Sequence, residues 1–376
     1  MQNTPEPGCD DATTTLAHCP IAVETSEPSA AALPSAIFVT GASRSGTTML
    51  ARLFGQHSQV LTLQETHFFG DACDLDGVTY PRDLRDLALL GATVLARHER
   101  GLWSGGPNPS ELDRARAIVE CLPQCERNAA GVFAAVTRQI ARWAGKTLAC
   151  EQTPRNIFYA RRLLELYPDA RFIHIVRDPR AVMASQKNRW KVRKLGASHL
   201  PSREMLRIRI NYHPITISKL WVAANREALA LQGQSRFCMV RFEDLVANPE
   251  SAVRSLCEFA GLGFEPGMLD IPHWGSSNLS HSTDKRGISS DVIDQWRHVL
   301  TGAEIALCQR LTRSMMGHFA YKPMPPAPRS FAGMGLILGS YPIHVAAVIA
   351  VNPARAWIQA KALYRRRLAN SFGDPT

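Results

Sequence analysis

Residues 37–48 read Ile37-Phe38-Val39-Thr40-Gly41-Ala42-Ser43-Arg44-Ser45-Gly46-Thr47-Thr48, and Met49, Leu50, Leu53 and Phe54 follow at helical spacing. An apolar β-type run, a Gly41-x4-Gly46 turn and a helix start, in that order, form an anion cradle. The first amides of a helix have no intrahelical partner, and the helix dipole adds positive character there. In a nucleotide-triphosphate loop the second glycine is followed by a lysine for the β/γ-phosphates and then by a Ser/Thr for Mg²⁺. Here Thr47 stands in the lysine's place and the cation, Arg44, lies upstream. The turn is expected to hold a phosphate-like group without a triphosphate's metal.

A second strand–turn–helix begins at Ala170. The run to Val176 is apolar and β-rich, and Arg177-Asp178-Pro179-Arg180 leads into a helical pattern through Val182, Met183 and Ser185. Asp178 suits the N-cap and Pro179 the first turn, which puts Arg177 and Ser185 on one side of the helix start, where both can reach one phosphate. Upstream, Thr147–Cys150 reads as a strand, and Ile157, Ala160, Leu163, Leu164 and Tyr167 recur at helical spacing. Strands alternating with helices predict right-handed crossovers and a parallel sheet, with phosphate loops at the strands' carboxyl ends. The expected fold class is therefore α/β, a P-loop-type three-layer fold with a central parallel sheet flanked by helices. Its Arg44–Thr48 and Arg177–Ser185 segments should converge on one crevice.

Gly41-x-x-Arg44-Ser45-Gly46-Thr47-Thr48 resembles the 5′-phosphosulfate loop of sulfotransferases that use 3′-phosphoadenosine-5′-phosphosulfate, in particular the tyrosylprotein and related bacterial branch. Arg177 and Ser185, with seven residues between them, resemble that family's 3′-phosphate motif. The resemblance covers roughly residues 36–323 and is weakest between Asp71 and Gly145. It implies sulfuryl transfer from the phosphosulfate donor to an acceptor hydroxyl, without a metal. Gly41, Arg44, Ser45, Gly46, Thr47 and Thr48 would hold the 5′ end of the donor, Arg177 and Ser185 the 3′-phosphate, and Lys285 and Arg286 a loop closing over the nucleotide. Glu65, in Leu61-Thr62-Leu63-Gln64-Glu65-Thr66, falls where the family carries its general base, and Arg44 shares the catalytic role.

The chain departs from the family pattern in three places. His67 stands where an arginine is common, Gln152 where a lysine commonly precedes Thr-Pro, and Phe242 where the strand–turn segment has a tyrosine. Without the lysine's charge, the leaving phosphate must lean on Arg44, the Thr47 and Thr48 hydroxyls and loop amides, with Arg155 as a nearby substitute. Glu243 and Asp244 read as structural residues ordering their turn. Two other classes stay open: a P-loop kinase or hydrolase, disfavoured by Thr47, and a non-catalytic donor-binding protein tethered to a membrane.

The 376 residues, 45% apolar and 20% charged, suit one large globular domain, expected at 36–325. The net charge is +10, and eight Lys/Arg fall within the 23 residues from Lys187 to Arg209. The donor accounts for part of that basicity, and no nucleic-acid module is present, so no nucleic-acid partner is expected. Nine cysteines without a Cys-x-x-Cys pair read as reduced thiols, not as a metal site or a disulfide framework. Residues 1–35 are rich in Pro, Ser, Thr and Ala and carry no secretory signal, which leads to the expectation of a disordered leader and a cytoplasmic protein. The tail, 326–376, is expected to be helical. Phe331–Asn352 carries no charge and Arg355, Lys361 and Arg365–Arg367 follow. Packed, membrane-interfacial and membrane-spanning readings of this stretch all remain open, and they leave room for a protein peripheral to a membrane.

Overall fold

Ile37–Gly41 forms β1, a strand buried on both faces, as expected of a continuous apolar run at the centre of a parallel sheet. Around it, the computed structural model describes residues 35–102, 105–189, 202–272, 286–290, 293–328 and 330–353. The other strands are β2 (Val60–Thr62), β3 (Leu148–Glu151), β4 (Arg171–Val176) and β5 (Phe237–Arg241), in the order β2-β3-β1-β4-β5. Every pairing is parallel. The chain runs outward from β1 to one side of the sheet and from β4 to the other. The crevice of such a sheet therefore opens between β1 and β4, at their carboxyl ends.

The helices in chain order are α1 (Thr47–Gly55), α2 (Leu84–Arg100), α3 (Pro109–Glu120), α4 (Ala129–Trp143), α5 (Ala160–Leu166), α6 (Pro179–Lys187), α7 (Ser202–Ile210), α8 (Pro214–Leu229), α9 (Phe242–Ala247), α10 (Pro249–Phe259), α11 (Trp296–Val299), α12 (Gly302–His318) and α13 (Ser330–Val351). Period-two alternation sorts the strand residues between two apolar layers. Ile37, Val39, Ile173 and Ile175 pack with α1, α9 and α10, and Phe38 and Phe172 pack with α2, α4, α6 and α8. Phe38 and Phe172 stack at 4.6 Å between ring centroids. Burying each such ring contributes about 2–3 kcal/mol. This is the three-layer arrangement expected from the sequence.

Local detail departs from the periodicity in one place. The pattern from Ile157 to Tyr167 starts as a 3₁₀ turn, Pro154–Tyr159, and becomes α-helical only at Ala160. Pro154 opens that turn, and its lack of an N–H suits an initiating position. The weakly resembling stretch from Asp71 to Gly145 is a three-helix subassembly of α2, α3 and α4. Gly91 lets these helices approach, since a Cβ there would lie 3.2 Å from both Ala115 and Val136. The expected leader, the Lys191–Lys194 part of the basic run, Lys285 and the basic residues after Asn352 fall outside the described residues.

Candidate active site

The loop between β1 and α1 takes the shape its glycines allow. Gly46 sits at φ 107° as the residue before α1, and Ser45 N–H bonds the Ala42 carbonyl at 3.0 Å. The first intrahelical bond of α1 runs from Leu50 N–H to the Gly46 carbonyl, so the amides of Thr47, Thr48 and Met49 lie ahead of that ladder at the helix start. Phe242, at the start of α9, packs under the turn: a Cβ on Gly46 would come within 2.6 Å of its ring. The aromatic ring in the family's tyrosine position thus supports the glycine loop without its hydroxyl. The same ring carries the Arg177 guanidinium 4.1 Å above its centroid.

β4 places the second motif beside the first. Asp178 caps α6 by accepting from Arg180 N–H at 2.8 Å, and its ion-pair partner is Arg180, at 2.6 Å. Arg177 is turned the other way, toward the loop, where its Nη1 donates to the Arg44 carbonyl at 3.5 Å. Arg44 Nε in turn donates to Ser185 Oγ at 3.0 Å. Three of the proposed donor-binding residues are therefore linked across the mouth of the β1/β4 crevice. Trp221 of α8 holds the Arg177 carbonyl at 2.9 Å, while Glu243 accepts from Asp178 N–H at 3.0 Å and from the Tyr321 hydroxyl at 2.8 Å. This agrees with Glu243 as an ordering residue. The Asp244 side chain pairs with Arg241 at the surface.

The crevice is electropositive. Desolvation and the neighbouring Arg189 and Arg177 guanidiniums bring the Arg44 pKa down to about 10, with Glu65 opposing them. Burial likewise lowers that of Arg177. Guanidiniums pressed together in this way favour an anion between them. Ser45 Oγ is buried without a hydrogen-bond partner among the described residues, and so is Gln152 Oε1.

Glu65 lies on the segment after β2. Its Oε2 is 3.0 Å from His67 Nε2, and His67 Nδ1 is 3.7 Å from Asp71, which Arg155 holds at 2.8 Å. Arg155 thus pairs with Asp71. Among the described residues only Arg44 (φ 77°), His67 (φ 44°) and Ala320 (φ 56°) are non-glycines in the left-handed region. Two of these three sit in the crevice, which fits the tendency of strained backbone to gather at sites of chemistry.

Arg286 is exposed and paired with Asp270, to whose carbonyl it also donates at 2.8 Å; Lys285 lies outside the described residues. The sequence reading gave no role to Glu151, although this fully buried carboxylate is what fastens the Glu65 segment to the sheet. It accepts from Thr66 Oγ1 at 2.8 Å, Asn156 Nδ2 at 2.7 Å, Thr153 N–H at 3.0 Å and the Thr153 hydroxyl. A charged residue ending an apolar strand was the available signal, since buried carboxylates need partners. Arg97 also holds the segment, donating to the His67 carbonyl at 2.9 Å from α2, and nothing in its local sequence marks it.

Nodulation protein NoeE of Sinorhizobium fredii (strain NBRC 101917 / NGR234) is 29% identical over 288 residues, which cover 73% of this chain and 62% of NoeE. The chain thus spans less than two thirds of that relative's length. Carbohydrate sulfotransferase 6 of Homo sapiens is 26% identical over 343 residues, covering 77% of this chain and 81% of the relative. Among solved structures, the sulfotransferase domain from the curacin biosynthetic pathway aligns with a TM-score of 0.47 at 19% identity, over 78% of this chain and 99% of that one. A model of the sulfotransferase family matches residues 34–266, a span that holds both strand–turn–helix motifs, the Glu65 segment and the five strands described. The chain belongs to the sulfotransferase family.

Proposed function

We propose that the chain transfers a sulfuryl group from 3′-phosphoadenosine-5′-phosphosulfate to an acceptor hydroxyl. The observation that carries this reading is the Arg44–Ser185 bond at 3.0 Å: it brings the 5′-type loop and the 3′-type motif side by side, where one adenosine bearing both groups can meet both. The buried Ser45 hydroxyl, without a hydrogen-bond partner among the described residues, and the clustered guanidiniums fit such a polyanion. Gly41, Arg44, Ser45, Gly46, Thr47 and Thr48 hold its 5′ end, Arg177 and Ser185 its 3′-phosphate, and Arg286 with Lys285 the covering loop.

In this mechanism Glu65 takes the acceptor's proton as the new S–O bond forms. The bond from sulfur to the 5′-phosphate breaks with its electrons left on the phosphate. Arg44 and the α1 amides stabilise that developing charge, and fixed donors of this kind are worth several kcal/mol in a dry site. His67 orients the Glu65 carboxylate. The hydroxyl belongs to a sugar, lipid, peptide or small molecule; the likeness to carbohydrate sulfotransferase 6 puts a sugar among these. The enzyme is cytoplasmic and touches a membrane surface, and it needs no metal.

Isothermal titration without Mg²⁺ tests the donor site. Wild-type protein is expected to bind 3′-phosphoadenosine-5′-phosphate but not ATP, and Arg177→Ala to lose the bisphosphate at least about a hundredfold. Glu65→Gln should keep that binding while its turnover falls by about 10²–10⁴. Binding of ATP alone, and only with Mg²⁺, would instead place the chain among the kinases or hydrolases, and unchanged function in Glu65→Gln would make it a non-catalytic donor-binding protein.

A further inference from the structure

α13 is a 22-residue helix without a charged side chain, lying on the protein's outside. Gly333, Ile337, Tyr341, His344 and Val348, at spacings of three and four, form a half-buried stripe. Most of the remaining circumference is exposed and apolar. Leu336 is 78% exposed, Ile343 74% and Phe331 61%, an exposure that water penalises along the whole length of the helix.

The half-buried stripe holds α13 lengthwise against the fold. Near its start Gly333 meets α12, where a Cβ would lie 2.7 Å from Ala303. In the middle, Ser340 lies 3.3 Å from His213 Nε2 and His344 Nε2 3.0 Å from the Thr216 hydroxyl of α8. At its end Asn352 accepts from Arg207 of α7 at 2.6 Å and donates to Asn211 at 3.1 Å. A helix tied down at its start, middle and end cannot turn to cross a bilayer without giving up these contacts.

We infer that α13 is a membrane-docking helix that lies in the plane of an anionic bilayer, with Leu336 and Ile343 among the acyl chains and the catalytic domain carried on its other face. α13 has no polar face of its own; the fold packed behind it takes that place, leaving the apolar side for lipid. Charge selects the occupant. The chain carries +10, and Arg355, Lys361 and Arg365–Arg367 follow the helix in sequence. An anionic lipid surface attracts that charge, whereas a second copy of the chain repels it. Lys219, whose Nζ lies 5.3 Å from the Tyr341 ring centroid, flanks the helix on the protein side. This inference is independent of the chemistry proposed above.

Flotation of the full-length protein with phosphatidylcholine vesicles, with and without phosphatidylglycerol, tests it. The wild type is expected to float with the anionic vesicles, less well as salt rises, and to be released by alkaline carbonate. Leu336→Asp/Ile343→Asp should lower partitioning by at least about a hundredfold while its thermal melt and its bisphosphate titration stay those of the wild type. Wild type that stays with the soluble fraction, or a double variant that floats equally well, overturns the inference. A wild-type dimer that the double variant converts to monomer would assign the face to a second copy, and carbonate-resistant protein would make α13 a spanning helix; either result also overturns it.

Discussion

At the scale of single residues, Gly46 shows how a position can be required twice. Its φ of 107° is one that a side chain rarely adopts, and the Phe242 ring occupies the space where a Cβ would go. Gly46→Ala is expected to cost about 1–3 kcal/mol and to weaken bisphosphate binding beyond that loss, because the Phe242 ring it displaces also supports Arg177. Urea unfolding and bisphosphate titration of the same preparation separate the two effects; a variant with wild-type values in both would remove Phe242 as the support of the loop. Gly46 was legible in the sequence from its spacing to Gly41. Phe242 was read there only as a tyrosine lacking its hydroxyl, because ring stacking under a loop 196 positions away leaves no local pattern.

At the scale of elements, β1, β4 and α8 are joined through one buried imidazole. His174 Nδ1 lies 3.2 Å from the Thr40 hydroxyl and Nε2 3.2 Å from Asn225 Oδ1. Burial lowers its pKa from 6.5 to about 4, against the hydrogen bond it makes to Asn225 Oδ1. The unfolded chain therefore takes up a proton near pH 6.5 that the folded chain refuses until about pH 4. The stabilising contribution is complete above the higher value, declines between the two as pH falls, and is exhausted below the lower one. On the order of 3 kcal/mol should be lost across that window. Urea midpoints measured from pH 7 down to pH 4.5 are expected to follow this decline. His174→Gln should be weaker at neutral pH and show a shallower slope; an equal slope in the variant would exclude His174 as its origin. The elements themselves were mostly legible. β4 starts one residue after the expected Ala170 and ends at the expected Val176, and Asp178 with Pro179 announced the start of α6. The pattern after Pro154 misled because a 3₁₀ turn and an α-helix bury nearly the same spacing.

At the scale of the whole molecule, charge and topology act together. The +10 chain holds Arg44, Arg177 and Arg189 close together, so capture of a bisphosphate should be electrostatically steered. Stopped-flow association of 3′-phosphoadenosine-5′-phosphate is expected to slow roughly tenfold between about 0.05 M and 0.5 M salt, with a smaller change in dissociation. An association rate indifferent to salt would mean that the cluster does not act at a distance. By itself the sequence determined the parallel α/β architecture and the two strand–turn–helix motifs, because alternating apolar periods, Gly41 and Gly46, and the Asp178 cap are local instructions read within a few residues. Tertiary structure alone decided that Arg44 reaches Ser185, that Glu151 and Arg97 pin the Glu65 segment, and that α13 half-buries one stripe and exposes most of the rest. Each of these depends on which chain surfaces meet after the strands are ordered, and contacts between residues a hundred positions apart leave no signature in the sequence near either partner.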